Sequence, residues 1–337
     1  MKTFKIRLTS FIKWILFHLG IFSLIRILLP NDKVAILRYH SIQEPDKNFY
    51  ASPSITISPE AFEKQVKYLS KRYNVISLDE VVDCIKTPRP FPKNSIVFTF
   101  DDGYADNYNA YKILKKYGAT GTFYLTSACI DNESPLWLFE VHYLVNNTKE
   151  NKLELSVNGE KVIFDLREQQ HKPQIINEII TLVKSNNLQT REEIRSQLRI
   201  KLGVNGLKDA SKKVMLTWEQ VKEMAANGMT IGGHTLTHAN LPNADFEDAM
   251  HEIKDCKTML EKNLDIPIKH FSYPNGGNYE YFNDAIKKAV KETSFVSSTT
   301  SKNDFAGLDS DLYELSRIGV SKKFSELVYL LEGERIR

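Results

Sequence analysis

The sequence predicts an α/β domain of barrel type, and three observations carry that expectation. From residue 34 onward, short β-branched or aromatic runs alternate with helical stretches, the sign of βα units around a parallel sheet. Several of the helices have legible starts. The same kind of unit recurs on both sides of one long interruption.

The strand runs are VAILRY (34–39), SIVFTF (95–100), GTFYLT (121–126), MTIGG (229–233), HFSY (270–273) and FVSS (295–298). Between them, Ser58 before Pro59 reads as a helix N-cap followed by proline at the first helical position. Thr217 with Gln220 three residues on reads as a capping box. Further helices are expected near 105–117, 245–263, 279–291 and 324–332. The interruption lies between Leu136 and Val214: a hairpin, LELSVNGEKVIFDL, turning at Asn158-Gly159, and then a polar helical stretch over 167–202. It reads as an insertion on one βα loop, and loops at strand C-termini are where barrels build substrate sites. A part in substrate selection is the expectation.

The first 30 residues differ from the rest. Phe11 to Leu29 is strongly apolar but carries Lys13, His18 and Arg26, with Lys2, Lys5 and Arg7 ahead of it. A spanning helix needs about 20 mostly apolar residues, so the stretch stands at the margin. No small-residue cleavage site follows, which argues against a removed signal peptide. Two readings stay open: an uncleaved anchor with its basic end cytoplasmic, or a helix lying in the interface with its cations snorkelling. A buried helix of a soluble domain is the weaker third, because no polar pattern gives it a solvent face. Residues 1–30 are therefore expected to associate with a membrane surface at the cell envelope, on a side the sequence does not specify, and 31–337 to form the barrel domain.

Composition excludes some functions. The 45 Lys and Arg against 42 Asp and Glu, without a basic stripe interleaved with aromatics, predict no nucleic-acid partner. Cys84, Cys129 and Cys256 are widely spaced and odd in number, so they form neither a disulfide framework nor a zinc ribbon and read as small buried hydrophobes. Gly232-Gly233 and Gly276-Gly277 lack the spacing of a phosphate loop. The sequence does not specify an oligomeric state.

The chemistry-bearing residues start with Asp101-Asp102-Gly103 at the end of the 95–100 run. Such a triplet is common turn chemistry. It also sits where a barrel gathers reactive groups, and a divalent cation on one aspartate would leave the other as a base with its pKa held down. His234 and His238, four apart directly after MTIGG, offer two imidazoles to one metal. Together these supply Asp, His and His with an open position, the donor set of a catalytic zinc site.

TFDDGY (99–104) and HTLTH (234–238) resemble the first and second motifs of the polysaccharide deacetylases, the NodB-homology carbohydrate esterases. LTWEQVKEMAANGMTIGGHTLTHANL resembles their approach to the histidine motif, FSYPNGG (271–277) their third motif, and SRIGV (316–320) a late element of one branch. The resemblance spans about Val34 to Val320 outside the insertion. It implies a distorted (β/α) barrel of about seven strands and a metal-dependent hydrolase removing N-acetyl, or O-acetyl, groups from an acetylated glycan or glycolipid intermediate. By position it implies Asp102, His234 and His238 as ligands of a divalent metal, zinc first among them, Asp101 as catalytic base, and the backbone N–H of Asn275 as oxyanion donor. Two positions depart from the family's pattern. Its usual third-motif arginine is Ser272 here, and no histidine follows His270 to serve as the general acid. Tyr39-His40 resembles the branch that includes the poly-N-acetylglucosamine deacetylases, whose acid histidine lies early, so His40 takes that role. Arg317 is assigned to orient Asp101, with a surface ion pair as its alternative. An amide or imide hydrolase of non-sugar substrates, and a glycan-binding relative of weakened activity, are the competing functions. Trp137 and Phe139 read as core, His142, His171 and His251 as solvated, and His270 as packed.

Overall fold

The computed structural model describes residues 2–44, 46, 48, 50–132, 134–276 and 280–333. Two helices come first, α1 (Lys2–His18) and α2 (Ile21–Leu28). Gly20, at φ 73 where a side chain would be strained, turns the chain between them, and the axes of Thr9–His18 and Ile21–Leu28 meet at 70°.

Then follow β1 (Val34–Tyr39), the short β2 (Ser41–Ile42) and β3 (Thr56–Ile57), α3 (Pro59–Arg72), β4 (Asn74–Val75), α4 (Leu78–Lys86), β5 (Ser95–Phe100), α5 (Asn107–Lys116) and β6 (Thr122–Leu125). Residues 137–211 hold α6 (Trp137–Asn147), β7 (Lys152–Val157), β8 (Glu160–Asp165), α7 (Lys172–Lys184), α8 (Leu188–Leu202) and α9 (Leu207–Ser211). The chain closes with α10 (Trp218–Ala226), β9 (Thr230–Gly233), α11 (Phe246–Leu264), β10 (His270–Ser272), α12 (Asp284–Glu292), β11 (Ser297–Thr299), β12 (Ile318–Gly319) and α13 (Phe324–Glu332).

Seven parallel strands run β11-β10-β9-β6-β5-β1-β12, with β4 also paired to β5. The sheet curls because one segment serves both of its edges. Leu315 exchanges backbone bonds with Ser298 and Thr300 beside β11, and the next residues pair Leu37 with Ile318 on β1. The strand alternation sorts side chains into two layers. Leu37, Tyr39, Ile96, Phe98, Phe100, Phe123 and Leu125 face the surrounding helices, in the main core. Val34, Ile36, Val97 and Tyr124 face inward and, with Leu315, plug the lower interior. Gly232 is required there: a Cβ would lie 2.6 Å from the Tyr124 ring and 2.8 Å from the His270 carbonyl.

The 137–211 segment has its own apolar core, in which Trp137, Val141 and Leu144 of α6 meet Leu153 and Leu155 of β7, Ile176 and Ile179 of α7 and Ile194 and Leu198 of α8. Asn158 (φ 51) and Gly159 (φ 84) both adopt left-handed backbone, as a two-residue hairpin turn demands. Buried Glu140 is paired at 2.6 Å with buried Arg195, locking α6 to α8.

The N-caps at Ser58 and Thr217 form as read, the second as a full capping box. Boundaries shift by a residue or a few. The helix expected over 279–291 starts at Asp284, where Asn283 caps the Ile286 N–H; residue 279, like Gly277 of the PNGG run, lies outside the described residues. Sequence patterning missed β2, β3, β4 and β12, each two residues long. All three cysteines are buried and free.

Candidate active site

The alternation that fills the interior also builds the site. Inward positions on β1 continue from Ile36 to Arg38 and His40, and on β5 from Val97 to Thr99 and Asp101. Because Arg38 pairs with Thr99 and Tyr39 with Phe100, His40 and Asp101 fall on the next rung, where the Asp101 N–H donates to the Tyr39 carbonyl at 3.1 Å. His40 Nε2 stands 3.7 Å from Asp101 Oδ2.

Arg317, just before the edge strand β12, reaches Asp101 from beyond β1. Its Nη1 and Nη2 donate to Oδ1 and Oδ2 at 2.6 and 2.8 Å, a bidentate pair with both side chains buried. The guanidinium is itself held by the Thr300 carbonyl at 2.8 Å and by Ser272 Oγ at 3.0 Å. Ser272, the place where the family's arginine was missing, therefore contacts the arginine that stands in for it. Burial pushes the Asp101 pKa up, but Arg317 and then His234 outweigh it, leaving about 2.

Asp102 opens the turn after β5 at φ 77, followed by Gly103 at φ 81. This turn swings its carboxylate to the histidine loop, with Oδ1 3.4 Å from His234 Nε2 and 3.2 Å from His238 Nε2. His234 Nδ1 lies 2.7 Å from the Ser272 carbonyl, an acceptor, so that nitrogen carries a proton. Nε2 then turns a lone pair toward a carboxylate oxygen, an arrangement that needs a cation between them. One donor atom from each of Asp102, His234 and His238 falls within 4.8 Å of the others. Two imidazoles and one carboxylate, the first oriented by its other nitrogen, fit a divalent metal. Burial pushes the Asp102 pKa up, yet the adjoining imidazoles of His234 and His238 hold it well below the usual carboxylate range.

Backbone strain concentrates here. Nine described non-glycine residues have positive φ, and four of them are Asp102, Thr235, His238 and Asn275. The histidine loop is fastened in part from the 137–211 segment. Trp137 Nε1 donates to the His238 carbonyl at 3.0 Å, Arg191 Nη2 to Thr237 Oγ1 at 2.7 Å, and Asn243 Nδ2 donates back to the Lys184 carbonyl at 2.6 Å. Glu252 of α11 accepts from the Thr237 N–H at 2.8 Å.

The structure thus brings Asp101, Asp102, His234, His238, His40 and Asn275 to one cleft of about 360 Å³, with Arg317 buried behind Asp101. Burial lowers the His40 pKa, with Asp102 and Asp101 opposing it. Trp137 and Phe139 are buried, as read. His270 is packed, its Nδ1 2.9 Å from Ser297 Oγ. His142 departs from the solvated reading: α6 turns it into the cleft, where burial lowers its pKa. His171 and His251 are exposed, the latter 3.0 Å from Asp255. Sequence reasoning missed Arg38, Tyr50, Tyr104 and Lys184, which also line the cleft. It also missed buried Asp106, which accepts from Ser41 Oγ, the Ile42 N–H and Tyr50 Oη at 2.7 Å each and fixes the loop after β1.

Fold and site define a hydrolase on a curled parallel α/β sheet, with an arginine-bound carboxylate beside an Asp-His-His cluster. The polysaccharide deacetylase family model matches residues 89–296, and the chain belongs to that family. It is accordingly an enzyme that hydrolyses the amide bonds of acetylated sugars. Among relatives, the Bacillus subtilis protein YxkH, named for this family, is 23% identical over 87% of this chain and 73% of its own length. Of solved structures, the Streptococcus pyogenes deacetylase PplD superposes with TM-score 0.58 at 21% identity, covering 90% of this chain and 99% of that one. IcaB from Ammonifex degensii gives 0.56 at 16% identity, over 90% and 98%. The family match begins after Arg38 and His40 and ends before Arg317, so these two edges of the site lie outside it.

Proposed function

We propose that this chain is a metal-dependent deacetylase removing N-acetyl groups from a glycan or glycolipid intermediate, with zinc as the preferred cation. The observation that carries the reading is the pairing of an Arg317-clamped Asp101 with the Asp102, His234 and His238 donors in one cleft.

Asp102, His234 and His238 would hold a divalent cation, which would supply Lewis acidity toward the acetyl carbonyl and water. Asp101, ionised and fixed by Arg317, accepts the proton of the water that attacks the carbonyl carbon. His40, 3.7 Å from Asp101 Oδ2, donates a proton to the sugar nitrogen as the carbon–nitrogen bond breaks, leaving acetate and a free amine. Asn275, at φ 73 on the rim of the cleft, offers its backbone N–H to the developing oxyanion.

The test is acetate release from chito-oligosaccharides and related N-acetylated glycans, with metal content measured on the same preparation. Zinc-loaded wild type turns over, and Asp101→Asn keeps its metal while losing about 10²–10⁴-fold in kcat. Equal inertness of both proteins on the whole panel overturns the reading.

A membrane-surface location belongs to the same proposal. Among the described residues no single helix is long and apolar enough to cross a membrane, and the bent α1–α2 pair meets the test only jointly. Supporting an interfacial elbow, Phe11, Ile12, Trp14, Leu19, Ile21, Leu24, Ile27, Leu28 and Leu29 are all exposed. The elbow's other side is docked on the domain, through Phe22 against Tyr329, Phe17 against Phe324, and Arg26 paired with Glu332 at 3.2 Å.

A further inference from the structure

We propose that Arg38 and Lys184 form an anion-recognition pair in the catalytic cleft, one on the sheet and one on the 137–211 segment. The glycan this enzyme deacetylates then carries a carboxylate or phosphate within reach of the acetylated sugar. The inference rests on the deacetylase reading and adds the charge of its substrate.

Arg38 interrupts a strand whose other five residues are buried, and a guanidinium there is costly unless its donors are met. Among the described residues it forms no side-chain hydrogen bond or ion pair. Room has been kept for it. A Cβ on Gly319 would lie 3.2 Å from Nη2. Gly276 lines the cleft together with Arg38.

Asp101 attracts Arg38 only through space, without a hydrogen bond to it. Arg317 already occupies both Asp101 oxygens, and Asp102 faces the two histidines. The repulsion between Arg317 and Arg38 adds to burial in lowering the Arg38 pKa to about 10, which leaves it charged at neutral pH. Lys184, at the last turn of α7, is a second cation on the same cleft, and burial lowers its pKa too. Two cations partly withdrawn from water favour an incoming oxyanion, and Arg38 presents the fork that carboxylate and phosphate accept.

Three substrates separate the possibilities: a neutral N-acetylglucosamine oligomer, an oligomer alternating uronate with N-acetylhexosamine, and an N-acetylglucosamine oligomer bearing a phosphate monoester. Acetate release is measured for wild type, Arg38→Met, Arg38→Lys and Lys184→Met. Direct binding of each oligomer to an Asp101→Asn background is followed by calorimetry at two salt concentrations. Wild type is expected to favour one anionic arm by about tenfold or more in kcat/KM, and which arm wins identifies the anion. Arg38→Met and Lys184→Met should each erase that preference through KM, Arg38→Lys should keep part of it, and the anionic oligomer should bind more weakly in salt. The proposal is overturned if wild type turns over all arms equally or favours the neutral one. It is also overturned if the variants slow every arm alike and leave the ratio unchanged. Acetate release from none of the arms removes the deacetylase reading itself.

Discussion

Arg317 and Asp101 stand 216 residues apart in sequence and share two hydrogen bonds of 2.6 and 2.8 Å, with the guanidinium wholly buried. The proposed base is therefore aimed by a residue at the edge strand β12, two strands from β5, and that clamp governs how it ionises.

Replacing Arg317 by lysine keeps a charge but loses the fork. A base misplaced by about 1 Å should cost on the order of 10²-fold in kcat. The pH profile supplies the specific sign. Asp101 sits at about 2 because Arg317 and His234 overcome burial. Weakening the clamp raises that value, so protonation sets in at higher pH and the acid limb of kcat/KM moves up by about 1–3 pH units. Stability follows the same linkage: the contribution of the pair is present above the unfolded aspartate value of about 3.9 and fades as pH falls through about 2. An acid limb that stays put in Arg317→Lys would count against the clamp.

His40 is tested through the leaving group. An amine needs a proton to depart, whereas the phenolate of an activated acetyl ester does not. His40→Gln should lose about 10²–10⁴-fold on N-acetyl sugars and far less on the ester. It should also lose the alkaline limb of the kcat/KM profile. Equal losses on both substrates would assign His40 to shaping the cleft.

Arg191 and Trp137 touch the histidine loop through Thr237 and the His238 carbonyl, respectively. Outer contacts of this kind are worth about 10–100-fold in metal affinity. Arg191→Met and Trp137→Phe should each raise the zinc dissociation constant by that order in chelator competition. At saturating zinc, kcat should recover most of its value, which a direct catalytic part for either residue would prevent.

Trp14 and Phe11 are 48% and 56% exposed on the elbow. Substituting both by serine should reduce co-sedimentation with phospholipid vesicles by about tenfold or more, with hydrolysis of a soluble oligosaccharide unchanged. Wild-type protein that remains in the supernatant would refute interfacial docking.

Much of this site is legible before any coordinates, because its candidate metal ligands are local in sequence. Asp101-Asp102 end one strand and His234-x-x-x-His238 follow another, so composition and spacing expose them. The clamp is harder to see, since Arg317 precedes a two-residue strand with no periodicity to announce it. Arg38 is hidden for a related reason: a single charge in a buried run reads as an edge position until the curl of the sheet makes that side its interior. His142 was misread because the face a helix presents depends on what packs against it. The 137–211 segment supplied that face, and no local pattern encodes it.

The hydrogen bonds joining that segment to the loop between His234 and Asn243 have an evolutionary consequence. A region that varies to suit new glycans is ordinarily free to drift, but here it also braces the metal donors through Trp137, Arg191 and the Lys184 carbonyl. On the proposed function, substrate range and metal affinity are thereby yoked together. A graft of this segment from a relative would have to bring both halves of each bond, or exchange one property for the other.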